Sequence, residues 1–387
     1  MAYVVAHEDT LEALEQAAKR VGYEVVKALS ALPVSQRMAR AVSILKPPPG
    51  DAALPDVLGE EAAWGILAGV SSQLWAEIRV IINHESYHPI KAPGISTESG
   101  LQIWCYLDAV DGTVKLAGLG NEPGRLRSAN DGAWAVGLAF TEPTSKALEE
   151  LLLSDFKVSA VTDGSVCEAS SSRNPPFPRM AIATGVEVQG NNHGNHSYVT
   201  REGVGAPAYN SPCTITLHTS TNQRLSQSFV FLDAFQTRTP GDESLAGALY
   251  ARLMNRNEGG AFDVLRSYGN LSAIVRNMLG WRCPPGTPHG ASIDGTWLEA
   301  QCSGFLVVNE NLHNLIPAVP IILGAGGIAT DFEGVPLLNR RLSAGRCSVL
   351  YASNERIHKD LLLLIMKIRR SQEVENIPQD MTTTRKS

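Results

Sequence analysis

The sequence predicts an α/β protein in two parts, an α+β half over residues 1–222 and an α/β half over residues 223–387. Three observations carry that reading. Short strand-like runs separated by Gly, Asn and Pro turns fill much of the first half, in the manner of an antiparallel meander. From Ser226 onward, strand patterns alternate with helical ones, which is the signature of an α/β layer. The chain also has 387 residues, of which 44% are hydrophobic and 19% charged, enough for two fused units with extended cores and too apolar for wholesale disorder.

Each element has its own justification in order. Asp9 and Thr10 are helix-capping types, and Leu11–Leu32 has apolar positions at helical spacing, predicting an amphipathic helix of about five turns. The prolines of Lys46–Asp56 predict a loop that delivers Val57-Leu58-Gly59-Glu60-Glu61, and the pattern from Glu61 to about Asn83 is helical again. His84–Ser99 reads as a loop, and Leu101–Leu107 as a buried strand running into Asp108. Further strands are expected at Ala133–Phe140, Arg179–Thr184, Ser197–Thr200 and Cys213–His218. In the second half strands are expected at Ser228–Phe235, Gly304–Asn309 and Cys347–Ser353. Helices are expected at Leu245–Asn255, Asn270–Gly280, Asn314–Gly324 and Ile357–Arg370, before a polar tail.

Composition excludes several function classes. The chain carries 33 basic and 39 acidic residues, a formal charge of −6, so a phosphate-tracking basic surface is not expected and neither is a nucleic acid partner. The longest nearly uncharged stretch, Leu315–Ala329, contains prolines and glycines and is short of a membrane span. The first residues lack a basic region followed by a long apolar one, so the expected location is cytoplasmic. Six cysteines without a CxxC pair argue against a structural zinc site and against a disulfide framework.

The string Leu107-Asp108-Ala109-Val110-Asp111-Gly112-Thr113 carries the most chemistry. Two carboxylates at the end of an apolar strand need cations or hydrogen bonds, because bare buried charges are costly. A hard divalent cation such as Mg²⁺ meets that need with oxygen ligands, and Gly112-Thr113 adds backbone N–H groups for an anion and a hydroxyl for a water. An Asx-turn accounts for the same string equally well when it is taken alone.

Further segments shift the balance. Gly59-Glu60-Glu61 lies upstream, Gly324–Leu337 (GAGGIATDFEGVPL) downstream, with Tyr198–Tyr209 between them and Cys347–Glu355 near the end. In this order they resemble the inositol monophosphatase and fructose-1,6-bisphosphatase superfamily of metal-dependent phosphatases. The resemblance implies a layered α-β-α-β-α sandwich of the sugar phosphatase type, a homodimer, and Mg²⁺-dependent hydrolysis of a small phosphomonoester such as a sugar, cyclitol or nucleotide phosphate. Carried over by residue, it makes Glu60, Asp108 and the Val110 carbonyl ligands of a first metal, with Asp108 bridging to a second metal held by Asp111. Glu60 and Thr113 orient the attacking water, and the N–H groups of Gly112 and Thr113 hold phosphate oxygens.

Departures from the pattern matter as much. The usual Trp-Asp falls on His313-Asn314, so the carboxylate of the second metal site is an amide, which ligates without charge. The usual proline is Ala109, and an auxiliary Asp has no clear counterpart, Asp51 and Asp56 being poor substitutes. Three readings stay open: one strong metal with a weak second held through Asn314, His313 as an altered ligand, acid or substrate contact, or a diverged protein that binds a phosphorylated ligand or partner without turnover. Blander readings cover the rest. Glu61 reads as a solvated helix-start residue, His84 and His88 as parts of a polar loop near the substrate mouth, GAGG as a helix-to-strand turn, and Asp331 as a turn carboxylate.

Overall fold

The computed structural model describes residues 7–37, 39–43, 50–83, 86–91, 102–111, 135–163, 182–186, 196–201, 213–233, 239–267, 274, 278–281 and 302–375. In chain order the first half contains α1 (His7–Ser30), β1 (Arg40–Ser43), β2 (Gly50–Ala53), α2 (Leu54–Leu74), β3 (Glu77–Asn83), β4 (Ser86–Ile90), β5 (Gln102–Asp111), β6 (Ala135–Thr141), β7 (Phe156–Asp163), β8 (Ile182–Val186), β9 (His196–Arg201) and β10 (Cys213–Thr219). The second half contributes β11 (Phe229–Asp233), α3 (Pro240–Met254), β12 (Asp263–Ser267), β13 (Leu279–Trp281), β14 (Gly304–Asn311), α4 (Leu312–Leu315), α5 (Ala318–Gly324), β15 (Ile328–Asp331), β16 (Arg346–Ala352) and α6 (Glu355–Glu375).

Among the described residues nine strands form one sheet in the order β13-β10-β9-β8-β7-β6-β5-β3-β4, five form a second in the order β12-β11-β14-β16-β15, and β1 pairs with β2. From β5 to β10 every neighbouring pair is antiparallel, the expected meander, whereas β3 runs parallel to β5. The second sheet is parallel at β12-β11-β14 and antiparallel beyond.

Among the described residues three apolar cores join five layers, the middle core lying on both sides of α5. Leu14, Ala18, Val21, Val25 and Leu29 recur at helical spacing on α1 and, with Leu67 of α2, pack on Ile78, Cys105, Leu138 and Val158 of the large sheet. On its other face Trp104 and Phe156 meet Val319, Ile321 and Ile322 of α5, which in turn cover Phe231, Phe305 and Tyr351 of the small sheet. Leu249 and Leu253 of α3 with Ile357, Leu361 and Ile365 of α6 close the far side over Val230, Leu306 and Leu350. The order is therefore α-β-α-β-α, as expected.

Local departures from the sequence reading have physical causes. Helix α2 begins at Leu54, inside the stretch expected to be a loop, because Pro55 sits in the first helical turn, where its missing N–H would have no partner anyway. It ends at Trp75, which adopts the left-handed conformation (φ 51°) and sends the chain into β3. Ile78, Val80, Ile81 and Ile82 are therefore strand, as their β-branching favours, and the helix does not run on to Asn83. Residues 86–90, expected to be loop, hairpin back as β4. Pro317 divides the helix expected at Asn314–Gly324 into α4 and α5. Most of Asn270–Gly280 lies outside the described residues, and its end enters β13.

Candidate active site

Two β-bulges aim the site. Asp108 pairs with Gly137 and Asp111 with Ala135, so three steps along β5 oppose two along β6. In a regular strand residues three apart point to opposite faces; the extra residue returns Asp111 to the face of Asp108 and Tyr106. Ala109 and Val110 accordingly both turn into the core under α1 and α2, and the Val110 N–H donates to Asp108 Oδ1 at 3.2 Å.

Helix α2 brings two more carboxylates, Asp56 and Glu60, four residues apart and so on one helical face. Their approach depends on Gly59. A Cβ there would lie 2.8 Å from the Ala109 Cβ and 3.2 Å from Val25 Cγ1, so only glycine lets the helix seat this closely on β5. Glu61 points to solvent, as expected.

The second bulge lies in β14, where Val307 pairs with Val349 and Glu310 with Cys347. Within it Asn309 takes the left-handed conformation (φ 54°), which Asn tolerates better than most side chains. The Asn309 N–H donates to Ser348 Oγ (3.1 Å), Nδ2 donates to Asp242 Oδ2 (2.7 Å), and its carbonyl accepts from Arg346 Nε (3.0 Å). The bulge rotates Glu310 to the face of Val307, toward the large sheet. Buried Glu310 accepts from the Asn311 N–H (2.8 Å) and from Asn314 Nδ2 (2.9 Å). Asn314 Oδ1 then faces the Tyr106 hydroxyl at 3.5 Å, and the His313 ring lies 6.1 Å from the Tyr106 ring.

The electrostatics record this convergence. The Asp108 carboxyl is pushed up to about 7, first by burial and then by the charges of Asp56 and Glu60, against the opposing pull of the Val110 N–H and the Tyr106 hydroxyl. Burial also raises the Tyr106 phenol, and after burial the charges of Asp108, Asp111 and Glu310. Carboxylates from α2, β5 and β14 thus act on two neighbouring groups, an arrangement that a cation relieves.

Every donor gathered here is oxygen, which suits a hard cation. Among the described residues no group of three or more His, Cys, Asp or Glu side chains is placed to hold a metal ion by itself. Mg²⁺ asks for less than such a group, since it keeps several waters and takes only one or two carboxylates beside substrate phosphate. Gly112 and Thr113 lie outside the described residues, as do His84 and residues 202–209. His88 stands in β4 with its ring against Trp64 (4.8 Å between centroids), in place of the expected polar loop. Asp331 is a turn carboxylate: fully buried, it accepts from the N–H groups of Glu333 and Val335 and pairs with Arg340. GAGG forms the turn from α5 to β15, with Gly326 at φ 87°.

Three participants escape the sequence reading. Asp56, a poor substitute on motif grounds, exerts the strongest charge effect on Asp108; its signal is the four-residue spacing to Glu60, hidden because residues 46–56 read as loop. Tyr106 and Glu310 look like ordinary strand residues, and the bulge that turns Glu310 inward has no sequence signature beyond Asn309.

No protein-family model and no curated protein matches the chain. Solved structures do. Fructose-1,6-bisphosphatase of Leishmania major in holo form is 13% identical with a TM-score of 0.55, over 95% of this chain and 95% of that one. The chain has the sugar phosphatase fold. Inositol monophosphatase II of Staphylococcus aureus (10% identity, TM-score 0.51, 94% and 96% covered) and the IMPase of Thermotoga maritima (13%, 0.50, 94% and 99%) share this fold over nearly their whole lengths. The sugar phosphatase fold thus accommodates a sequence only 10–13% identical to theirs.

Proposed function

We propose that the chain is a divalent-cation-dependent phosphatase acting on a small phosphomonoester. The observation that supports the reading is the close seating of α2 on β5 at Gly59, which brings Asp56 and Glu60 of the helix to Asp108. In this reading Asp108, Asp111, Glu60, the Val110 carbonyl and Asn314 would hold the cation. Bound Mg²⁺ would supply charge neutralisation and Lewis acidity at the phosphoryl group. Glu60 would orient the attacking water, and Asp108, whose carboxyl burial and the charges of Asp56 and Glu60 push up, would ligate only in its deprotonated form. The N–H groups of Gly112 and Thr113 receive phosphate oxygens, Thr113 helps to orient the water, and His313 contacts the substrate. Positioning and charge supply most of the rate in such a transfer.

A second reading, a protein that binds a phosphorylated ligand without turnover, is favoured by the amide at Asn314. Phosphate release from a panel of phosphomonoesters with Mg²⁺ separates the two. The phosphatase reading expects turnover that Asp111→Asn lowers by two or more orders of magnitude and Asn314→Asp keeps or raises; a flat, metal-independent background supports the binding protein. Light scattering tests the homodimer that accompanies the phosphatase reading.

A further inference from the structure

Asn314 stands where the resemblance expects a carboxylate, and a neutral amide leaves the second half of a cation site short of charge. The structure places a carboxylate four residues earlier, at the end of β14 and in contact with the amide. Glu310 is 6% exposed, yet neither its strand register nor its burial favours a charge pointing inward; only the Asn309 bulge turns it to that face. The bulge is held by Ser348, Asp242 and Arg346, three side chains from two other elements. Once inward, Glu310 fixes which way Asn314 points. An ionised carboxylate only accepts, so Asn314 must turn its Nδ2 to Glu310 Oε1 (2.9 Å), leaving Oδ1 on the side of Tyr106 and Asp108.

We propose that Glu310 is a positioning residue that compensates for Asn314: it locks the amide with its oxygen toward the cation site and returns the missing negative charge from one position further out. The inference rests on the phosphatase reading, since it concerns the same cation site. Outer carboxylates that orient a ligand typically change metal affinity by 10–100-fold when removed. Glu310 also acts on the Tyr106 phenol together with Asp108 and Asp111, which places its charge within reach of that site.

The test is calorimetric titration of the full chain with Mg²⁺ at pH 8, which reads binding without turnover, with circular dichroism melting as the folding control. Glu310→Gln keeps size and an acceptor but removes charge; its affinity should fall roughly tenfold, and Glu310→Ala, which also frees the amide, should fall further, up to about 100-fold. In Glu310→Gln/Asn314→Asp the charge returns at the neighbouring position, and affinity should recover to within about threefold of wild type; this rescue does not depend on the alanine variant folding. Folded Glu310→Gln that binds Mg²⁺ as tightly as wild type, or a double variant no better than Glu310→Gln, overturns the role of Glu310. Wild type and Asp108→Asn that both fail to bind Mg²⁺ overturn the underlying phosphatase reading instead.

Discussion

Replacing Gly59 by alanine separates a helix effect from a packing effect on one element. At an unhindered helix interior, glycine to alanine stabilises by about 0.5–1 kcal/mol. Around Gly65 and Gly69 of α2 nothing lies within 4 Å of the place a methyl would take, so each alanine there should yield that gain. At Gly59 the methyl would sit 2.8 Å from the Ala109 Cβ and 3.2 Å from Val25 Cγ1, whereas carbon atoms pack best at about 3.5–4 Å. Helix α2 must then retreat by something near 1 Å, and such overpacking costs about 1–3 kcal/mol. The net expectation is a loss of about 1 kcal/mol for Gly59→Ala, some 2 kcal/mol below Gly65→Ala, read from urea midpoints at constant m. Retreat also carries Glu60 from Asp108, so Mg²⁺ should stabilise Gly59→Ala less than Gly65→Ala. Equal gains at all three glycines would refute the close seating of α2 on β5.

Further expectations rest on other groups. Because the Asp108 carboxyl is raised to about 7 in the folded chain from 3.8, the folded state holds a proton that the unfolded chain has lost; cation-free stability should be full below about pH 4 and fall as pH rises through 7, and Asp108→Asn should flatten that fall in pH-dependent urea melts. Trp75→Gly removes left-handed strain from an exposed side chain at the end of α2 and should add about 1 kcal/mol of stability, read from the urea midpoint. Asp331→Ala strips two backbone N–H groups and Arg340 of a fully buried partner, and denaturation should register a loss of about 3 kcal/mol or more. Thr239→Ala removes the cap that accepts the Asp242 N–H at 3.1 Å on α3 and should cost about 1 kcal/mol.

Much of the fold is legible because periodicity is a local property. The spacing of Leu14, Val21, Val25 and Leu29 marks α1, and the turn-punctuated runs of the first half mark the meander. Sequence and structure part where short apolar runs serve either element: IRVII continues a helical pattern until the left-handed Trp75 cuts it, and Leu54-Pro55 reads as loop although proline opens a helix well. At the site, Asp108 and Asp111 are visible because two carboxylates at the end of an apolar strand need partners, whereas Glu60 is marked only by the resemblance that Gly59-Glu60-Glu61 completes. What no motif shows is orientation. Whether Asp111 joins Asp108, and whether Glu310 faces inward or outward, is decided by one extra residue in each strand pairing, a property of two strands in register that neither carries alone.

The most direct measurement is the thermal stability of wild type and Asp108→Asn at pH 8 across a Mg²⁺ titration. Crowded carboxylates predict that Mg²⁺ raises the wild-type midpoint, by an amount equivalent to about 2.7 kcal/mol at one hundred times the dissociation constant, while Asp108→Asn is more stable without the cation and nearly indifferent to it. A wild type unmoved by Mg²⁺, with Asp108→Asn no more stable than it, would contradict a cation site at the end of β5.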